Sequence, residues 1–220
     1  LEVIETTAAR LGAPLIAYGQ HWHVHQERGR LVFQDETGLL DLPKPALLGA
    51  PQFANAGAAL AVLRYLNADE AACAAAMTSA EWPARMQRLK TGPLVAAAGQ
   101  AELWLDGGHN AAAGVALGQV LAELPERPTH LICGMLNTKD VTGYLRPLAL
   151  QVGSLTAVSI PGEPNTLSAK ETCAAAWSVG LPATTSESVM RALMDIRAKT
   201  PDARILICGS LYLAGNILRE

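Results

Sequence analysis

The sequence predicts an α/β protein whose larger part is a mainly parallel sheet with helices on both faces. Three observations carry that expectation. From about residue 103 onward, short apolar strand-like runs alternate with helix-like ones, the rhythm of βαβ units. Three of those runs end in polar or glycine-bearing turns, at 106–110, at Gly134 leading into LNTKD, and at Gly209-Ser210, as if sharing one rim. Finally, half of the 220 residues are hydrophobic and only 17% are charged, enough apolar material for a sizeable core.

The stretch at 102–121, ELWLDGGHNAAAGVALGQVL, organises the rest. Leu103, Trp104 and Leu105 read as a buried strand, followed by Asp106 and a tight Gly107-Gly108 turn. His109 and Asn110 then stand at the mouth of a helix on which Val115, Leu117, Val120 and Leu121 recur at one-face spacing. A strand C-terminus meets a helix N-terminus there, where open α/β sheets bind ligands and free N–H groups favour an anion. Asp106 and His109 are therefore the first candidate site residues. The competing reading is an ordinary turn, since Asp, His and Asn are common turn and cap residues. Gly107, Gly108, Gly114 and Gly118 do not fall as GxGxxG, which removes the main support for a nicotinamide dehydrogenase.

Taken in order, residues 1–12 read as the end of a helix closing at Gly12. PLIAYG, HWHVHQE and RLVFQ follow as strand-like pieces, with Gly29 as a turn between the last two. His21, His23 and His25 alternate with Trp22 and Val24, so a strand would put the three imidazoles on one face. No acid or cysteine at ligand spacing completes a metal site, and the alternation is that of a half-exposed strand. Residues 39–48, broken by Pro43 and Pro45, read as an edge strand or loop. A helix is expected over 53–66 with Asn55 in its first turn, where an Asn caps the helix or turns its amide to a ligand; the cap is the simpler expectation. An alanine-rich helix follows at 69–77.

Residues 78–93, TSAEWPARMQRLKTGP, concentrate Pro83, Gly92, Pro93, Arg85, Arg88 and Lys90, and the domain boundary is placed here, dividing 1–80 from 81–220. The basic residues are either solvated linker charges or, for one arginine, aimed at phosphate. Further strands are expected at 130–134, 155–160 and 204–208. Helices are expected from about Val141, over 168–177, over 187–198 and from Ser210. There is no GxxxxGK[ST] loop, no GxSxG elbow and no internal repeat.

Composition excludes several classes. A net charge of −3 and few, scattered aromatics argue against a nucleic-acid binder. No apolar run approaches the ~20 residues that span a bilayer, and the opening LEVIETTAAR resembles no signal peptide. Cys73, Cys133, Cys173 and Cys208 form no CxxC and read as free, mostly buried thiols of a cytoplasmic protein. The chain lacks an initiating Met and is expected to be a piece of a longer protein.

Five segments occur together and in order: GAPQFANAGAALA (49–61), WPARMQRL (82–89), LWLDGGHN (103–110), CGMLNTKD (133–140) and GSLYLAG (209–215). In these the chain resembles the C-terminal half of folylpolyglutamate synthase/dihydrofolate synthase, a branch of the Mur ligase superfamily. The resemblance implies a Rossmann-like C-terminal domain of the Mur ligase type over 81–220. Before it, residues 1–80 would be the remnant of a central α/β ATPase domain. It implies ATP and Mg2+ as cofactors and dihydropteroate or folates with L-glutamate as substrates, joined through an acyl phosphate. The nucleotide would lie between the two domains. By position, Asn55 matches the adenine-side asparagine, Arg85 the arginine reaching the phosphates, and Asp106 the aspartate contacting ATP. His109 matches the histidine facing the reaction centre. The phosphate loop and magnesium ligands would lie in the missing N-terminal half, leaving this chain incomplete as a catalyst and without a metal site of its own. Departures from the pattern are Pro51-Gln52 in place of His-Gln, Ala111 where a proline is common, and Thr138 for an acidic residue. The alternative is a nucleotide- or glutamate-binding module that performs no chemistry.

Overall fold

A computed structural model describes residues 1–219, which form two compact units, one over Leu1–Glu81 and one from Trp82 onward. In the first unit, α1 (Glu2–Leu11) ends at Gly12, whose φ of 64° is the left-handed stop that glycine permits most readily. Then β1 (Trp22–Glu27), β2 (Arg30–Asp35) and β3 (Gly38–Leu42) make an antiparallel meander. Arg28 and Gly29, at φ 48° and 77°, form the two-residue connection whose twist suits a hairpin. Trp22 and Val24 face inward, and Trp22 stacks on Phe33 with ring centroids 5.9 Å apart. The helices α2 (Pro51–Tyr65) and α3 (Glu70–Ser79) contribute Ala56, Leu60, Cys73 and Met77 to the same core. Arg64 of α2 reaches Asp35 at 3.1 Å and holds its carboxyl down at about 2.

The strand expectations at the start of this unit need correction. PLIAYG does not form a strand; only an isolated bridge joins Tyr18 to Trp22. His21 precedes β1, where its Nδ1 accepts the Ala17 N–H at 3.0 Å, so only His23 and His25 share the exposed strand face.

The second unit is a six-stranded sheet in the order β4-β5-β9-β6-β7-β8, parallel except for the edge strand β4. Its strands are β4 (Gln87–Arg88), β5 (Glu102–Leu105), β6 (Thr129–Cys133), β7 (Ser154–Ala157), β8 (Ala183–Thr185) and β9 (Arg204–Cys208). The central β9 is buried along its whole length, as an RILIC run covered on both faces requires. On one face Leu103, Leu105, Ile132, Ile205 and Ile207 pack against α4 (Pro93–Ala98), α8 (Val189–Lys199) and α9 (Leu211–Ile217). The helices α5 (Ala111–Glu123), α6 (Val141–Leu145) and α7 (Ala169–Ser178) pack in series. Residues 78–93 are not merely a linker. They include β4, and Arg88 there meets Glu102 at 2.8 Å and lies 5.4 Å from the Trp104 ring centroid. The short elements β4, β8 and α4 carry too few residues for periodicity to mark them.

Because β5, β9 and β6 are adjacent and parallel, the turns after them share one edge of the sheet. Gly114 sets how closely α5 approaches α6 beside that edge, since a Cβ there would overlap the Tyr144 carbonyl. Alanine in a helix interior ordinarily gains about 0.5–1 kcal/mol over glycine. We expect Gly114→Ala instead to destabilise the chain by roughly 1–3 kcal/mol, the cost of overpacking. Denaturant melts check this, and a stabilised variant would contradict the close approach.

Candidate functional site at the sheet rim

Asp106 follows β5 and is only 6% exposed. One carboxylate oxygen, Oδ1, accepts the Gly108 N–H at 2.7 Å; the other, Oδ2, accepts the Met86 N–H at 2.9 Å. The Gly107 N–H in turn donates to the Ala84 carbonyl at 2.8 Å. A single side chain thus closes its own turn and fastens the segment carrying Arg85 to the end of β5. Gly108 has to be small, because a Cβ would stand 2.8 Å from Asp106 Oδ1.

The fastened segment has an unusual backbone. Ala84 and Met86 are both buried and have φ of 55° and 42°, in the left-handed region that non-glycine residues seldom adopt. Arg85 lies between them and is exposed. Among the described residues its guanidinium makes no hydrogen bond or ion pair, although its charge favours the ionised form of Asp106. The Gln87 side-chain oxygen accepts the Ala84 N–H at 2.9 Å, which completes the clasp.

His109 is half-buried, and its Nδ1 lies 3.0 Å from the Gly107 carbonyl. A carbonyl only accepts, so Nδ1 carries the hydrogen, and in the neutral ring Nε2 is then the nitrogen with the lone pair. Asn110 is the N-cap of α5 and accepts the Ala113 N–H at 2.9 Å. At the neighbouring turn Asp140 caps α6, and its carboxyl is lowered by the Gly143 N–H and the Thr142 hydroxyl. The buried Ser210 caps α9. Behind the rim Tyr144 is wholly buried, and burial, with the thiols of Cys208 and Cys133 beside it, pushes its phenol up.

Of the four candidates, Arg85, Asp106 and His109 come together on this rim of the second unit. Asn55 belongs to the first unit, on α2, and is not a cap: the helix begins at Pro51 with Ala50 before it, and the Asn55 amide donates to Gln52 Oε1 at 3.0 Å. Proline fits the first helical turn, so the helix starts earlier than its apolar pattern indicates. Gln87 was not singled out from the sequence. Its place two residues beyond Arg85 is visible there, but the left-handed turn that brings its oxygen back to Ala84 is not.

A mainly parallel sheet with its polar turns gathered on one edge, a buried carboxylate and an exposed cation beside it define an α/β domain with a candidate ligand rim. The family model for the C-terminal domain of dihydrofolate synthetase matches residues 94–220. A probable bifunctional folylpolyglutamate synthase/dihydropteroate synthase of Haloferax volcanii is 30% identical over 208 residues, covering 91% of this chain and 23% of that protein. The solved structure of E. coli FolC in complex with DHPP and ADP superposes with a TM-score of 0.82 at 26% identity, covering 99% of this chain and 50% of that one. A bifunctional folylpolyglutamate synthase/dihydrofolate synthase with Mn, AMPPNP and L-glutamate bound superposes with a TM-score of 0.79 at 27% identity, covering 99% and 50%. The chain belongs to the dihydrofolate synthetase C-terminal domain family, that of the folylpolyglutamate and dihydrofolate synthases. It spans about half the length of those solved relatives, and a smaller share of the curated one.

Burial pushes the Asp106 carboxyl above its ordinary 3.8, against the Gly108 and Met86 N–H groups and the charge of Arg85, which all pull it down. A raised value means that the folded chain holds this proton more tightly than the unfolded one. The corresponding stability is complete below about pH 4 and is lost as pH rises through the raised value. Asp106→Asn keeps one acceptor for two N–H donors and should cost about 1–3 kcal/mol. The lead of the wild type over this variant should narrow as pH rises from about 4. Urea melts across pH check both; a variant as stable as wild type would show that the clasp carries no weight.

Proposed function

We propose that this chain is the C-terminal part of an ATP-dependent ligase that joins L-glutamate to dihydropteroate or a folate. The γ-phosphoryl group of ATP passes to the substrate carboxylate, giving an acyl phosphate and ADP. The glutamate amine then attacks the acyl carbon, phosphate leaves, and the amine gives up a proton. The observation that carries the reading is Arg85, an exposed guanidinium with no partner among the described residues, pinned on both sides at the rim. Phosphoryl transfer consists largely of positioning and charge stabilisation, which a fixed planar cation supplies. The nucleotides named with the solved relatives, ADP and AMPPNP, agree with that use.

In this scheme Arg85 contacts the nucleotide phosphates. Asp106 holds the Arg85 segment against β5, and Asn55 of the first unit serves the adenine. His109 faces the reaction centre, its Nε2 lone pair free to take the proton released by the glutamate amine. The nucleotide brings the phosphoryl group, and these side chains place it. Among the described residues no three His, Cys, Asp or Glu side chains cluster to hold a metal ion. Following the family resemblance, we assign the Mg2+ ligands and the phosphate loop to sequence outside these 220 residues. Residues 1–80 are assigned to the central ATPase domain and 81–220 to the C-terminal domain, a division one residue from that of the compact units. Among the described residues no helix is long and apolar enough to cross a membrane. The free thiols, three of them buried, fit a reducing cytoplasm.

Two assays test the reading. The complete polypeptide should release ADP only when a folate or dihydropteroate and glutamate are both present. The 220 residues alone should release none. ATP binding by the complete polypeptide without turnover would leave a binding module instead. In the complete polypeptide Arg85→Ala should lower kcat by on the order of 10²–10³-fold, with lysine restoring part of the loss, because a point charge cannot reproduce a planar fork. Unchanged turnover with Arg85→Ala would remove Arg85 from the site.

A further inference from the structure

Arg85 is useful to a phosphate only if its backbone holds still, and Asp106 fixes just one side of it. The Met86 N–H, C-terminal to Arg85, is tied to Asp106 Oδ2 at 2.9 Å. On the N-terminal side, the Ala84 carbonyl takes the Gly107 N–H at 2.8 Å and the Ala84 N–H goes to Gln87 Oε1 at 2.9 Å. The N–H is a donor, so the Gln87 amide must face it with its oxygen. Gln87 is itself anchored, half-buried on the edge strand β4 and in register with Leu105 of β5. It reaches back three residues to hold Ala84, which adopts a φ of 55° that an unsupported alanine would leave for the ordinary helical or extended regions.

We infer that Gln87 is a positioning residue for Arg85: its side-chain oxygen locks the left-handed turn at Ala84 and so fixes where the guanidinium stands. This rests on the role proposed for Arg85. Gln87 touches no substrate in this account and acts only through the cation two residues before it. Without its acceptor, the Ala84 N–H turns to solvent, the turn relaxes, and Arg85 samples a wider arc. Misplacing a preorganised group by about 1 Å can cost on the order of 10²-fold in rate.

The test is a double-mutant cycle in the complete polypeptide, with Gln87→Met chosen because it keeps length and bulk while removing the acceptor. Gln87→Met alone should lower kcat by on the order of 10²-fold with circular dichroism unchanged. In an Arg85→Ala background it should cause no further loss. Hydrogen exchange at the Ala84 amide should speed up in Gln87→Met. If Arg85→Ala is impaired but Gln87→Met is silent, or its loss adds in full to that of Arg85→Ala, the positioning role is overturned and the proposed function stands. If Arg85→Ala is itself silent, the role of Arg85 falls, and that of Gln87 with it.

Discussion

The buried carboxylate of Asp106 is the constraint on which the rim depends. It ends β5, shapes the Gly107-Gly108 turn through the Gly108 N–H, and secures the Arg85 segment through the Met86 N–H. Burying it disfavours its charge, and the two backbone donors offset part of that cost. Hydrogen bonds to a charged group are worth roughly 1.5–3 kcal/mol each, comparable with the 1–3 kcal/mol of holding a non-glycine residue in a sparsely populated backbone region. Ala84 and Met86 are two such residues. The strain and the bonds belong together: the carboxylate, Gln87 and the Gly107 N–H hold the segment in its unfavourable conformation.

This division of labour gives Asp106 a structural role at the rim. Both of its oxygens are engaged with backbone donors and it is almost wholly covered. Arg85 is the exposed member of the pair. In the proposed function the carboxylate therefore shapes the rim, and the cation is the group offered to the ligand. His109 belongs to the same turn, with its ring oriented by the Gly107 carbonyl, so one short loop sets both a cation and a lone pair.

Much of this arrangement is legible in the sequence, for physical reasons that differ from residue to residue. LWLDGGHN announces itself because a buried strand, a carboxylate and two glycines have few ways to meet, and the polar turns after 105, 133 and 208 do share an edge. The end of WPARMQRL is harder to read. Arg88 looks like a solvated linker charge yet meets Glu102 and lies over Trp104, because the two-residue strand β4 pairs with β5 through long-range contacts that no local pattern encodes. The Gln87 contact depends on a left-handed alanine, a conformation that propensity argues against. Asn55 shows the opposite failing: its residue type suggests a cap, but Pro51 starts the helix first.

The central claim is that the rim presents Arg85 to the phosphates of a nucleotide while Asp106 keeps its backbone partners. The most direct measurement is a crystal structure of the complete polypeptide with a non-hydrolysable ATP analogue. The account predicts the Arg85 guanidinium within hydrogen-bonding distance of a phosphate oxygen, with Asp106 still accepting from Met86 and Gly108. A nucleotide whose phosphates lie away from this rim, with Arg85 left in solvent, would contradict it.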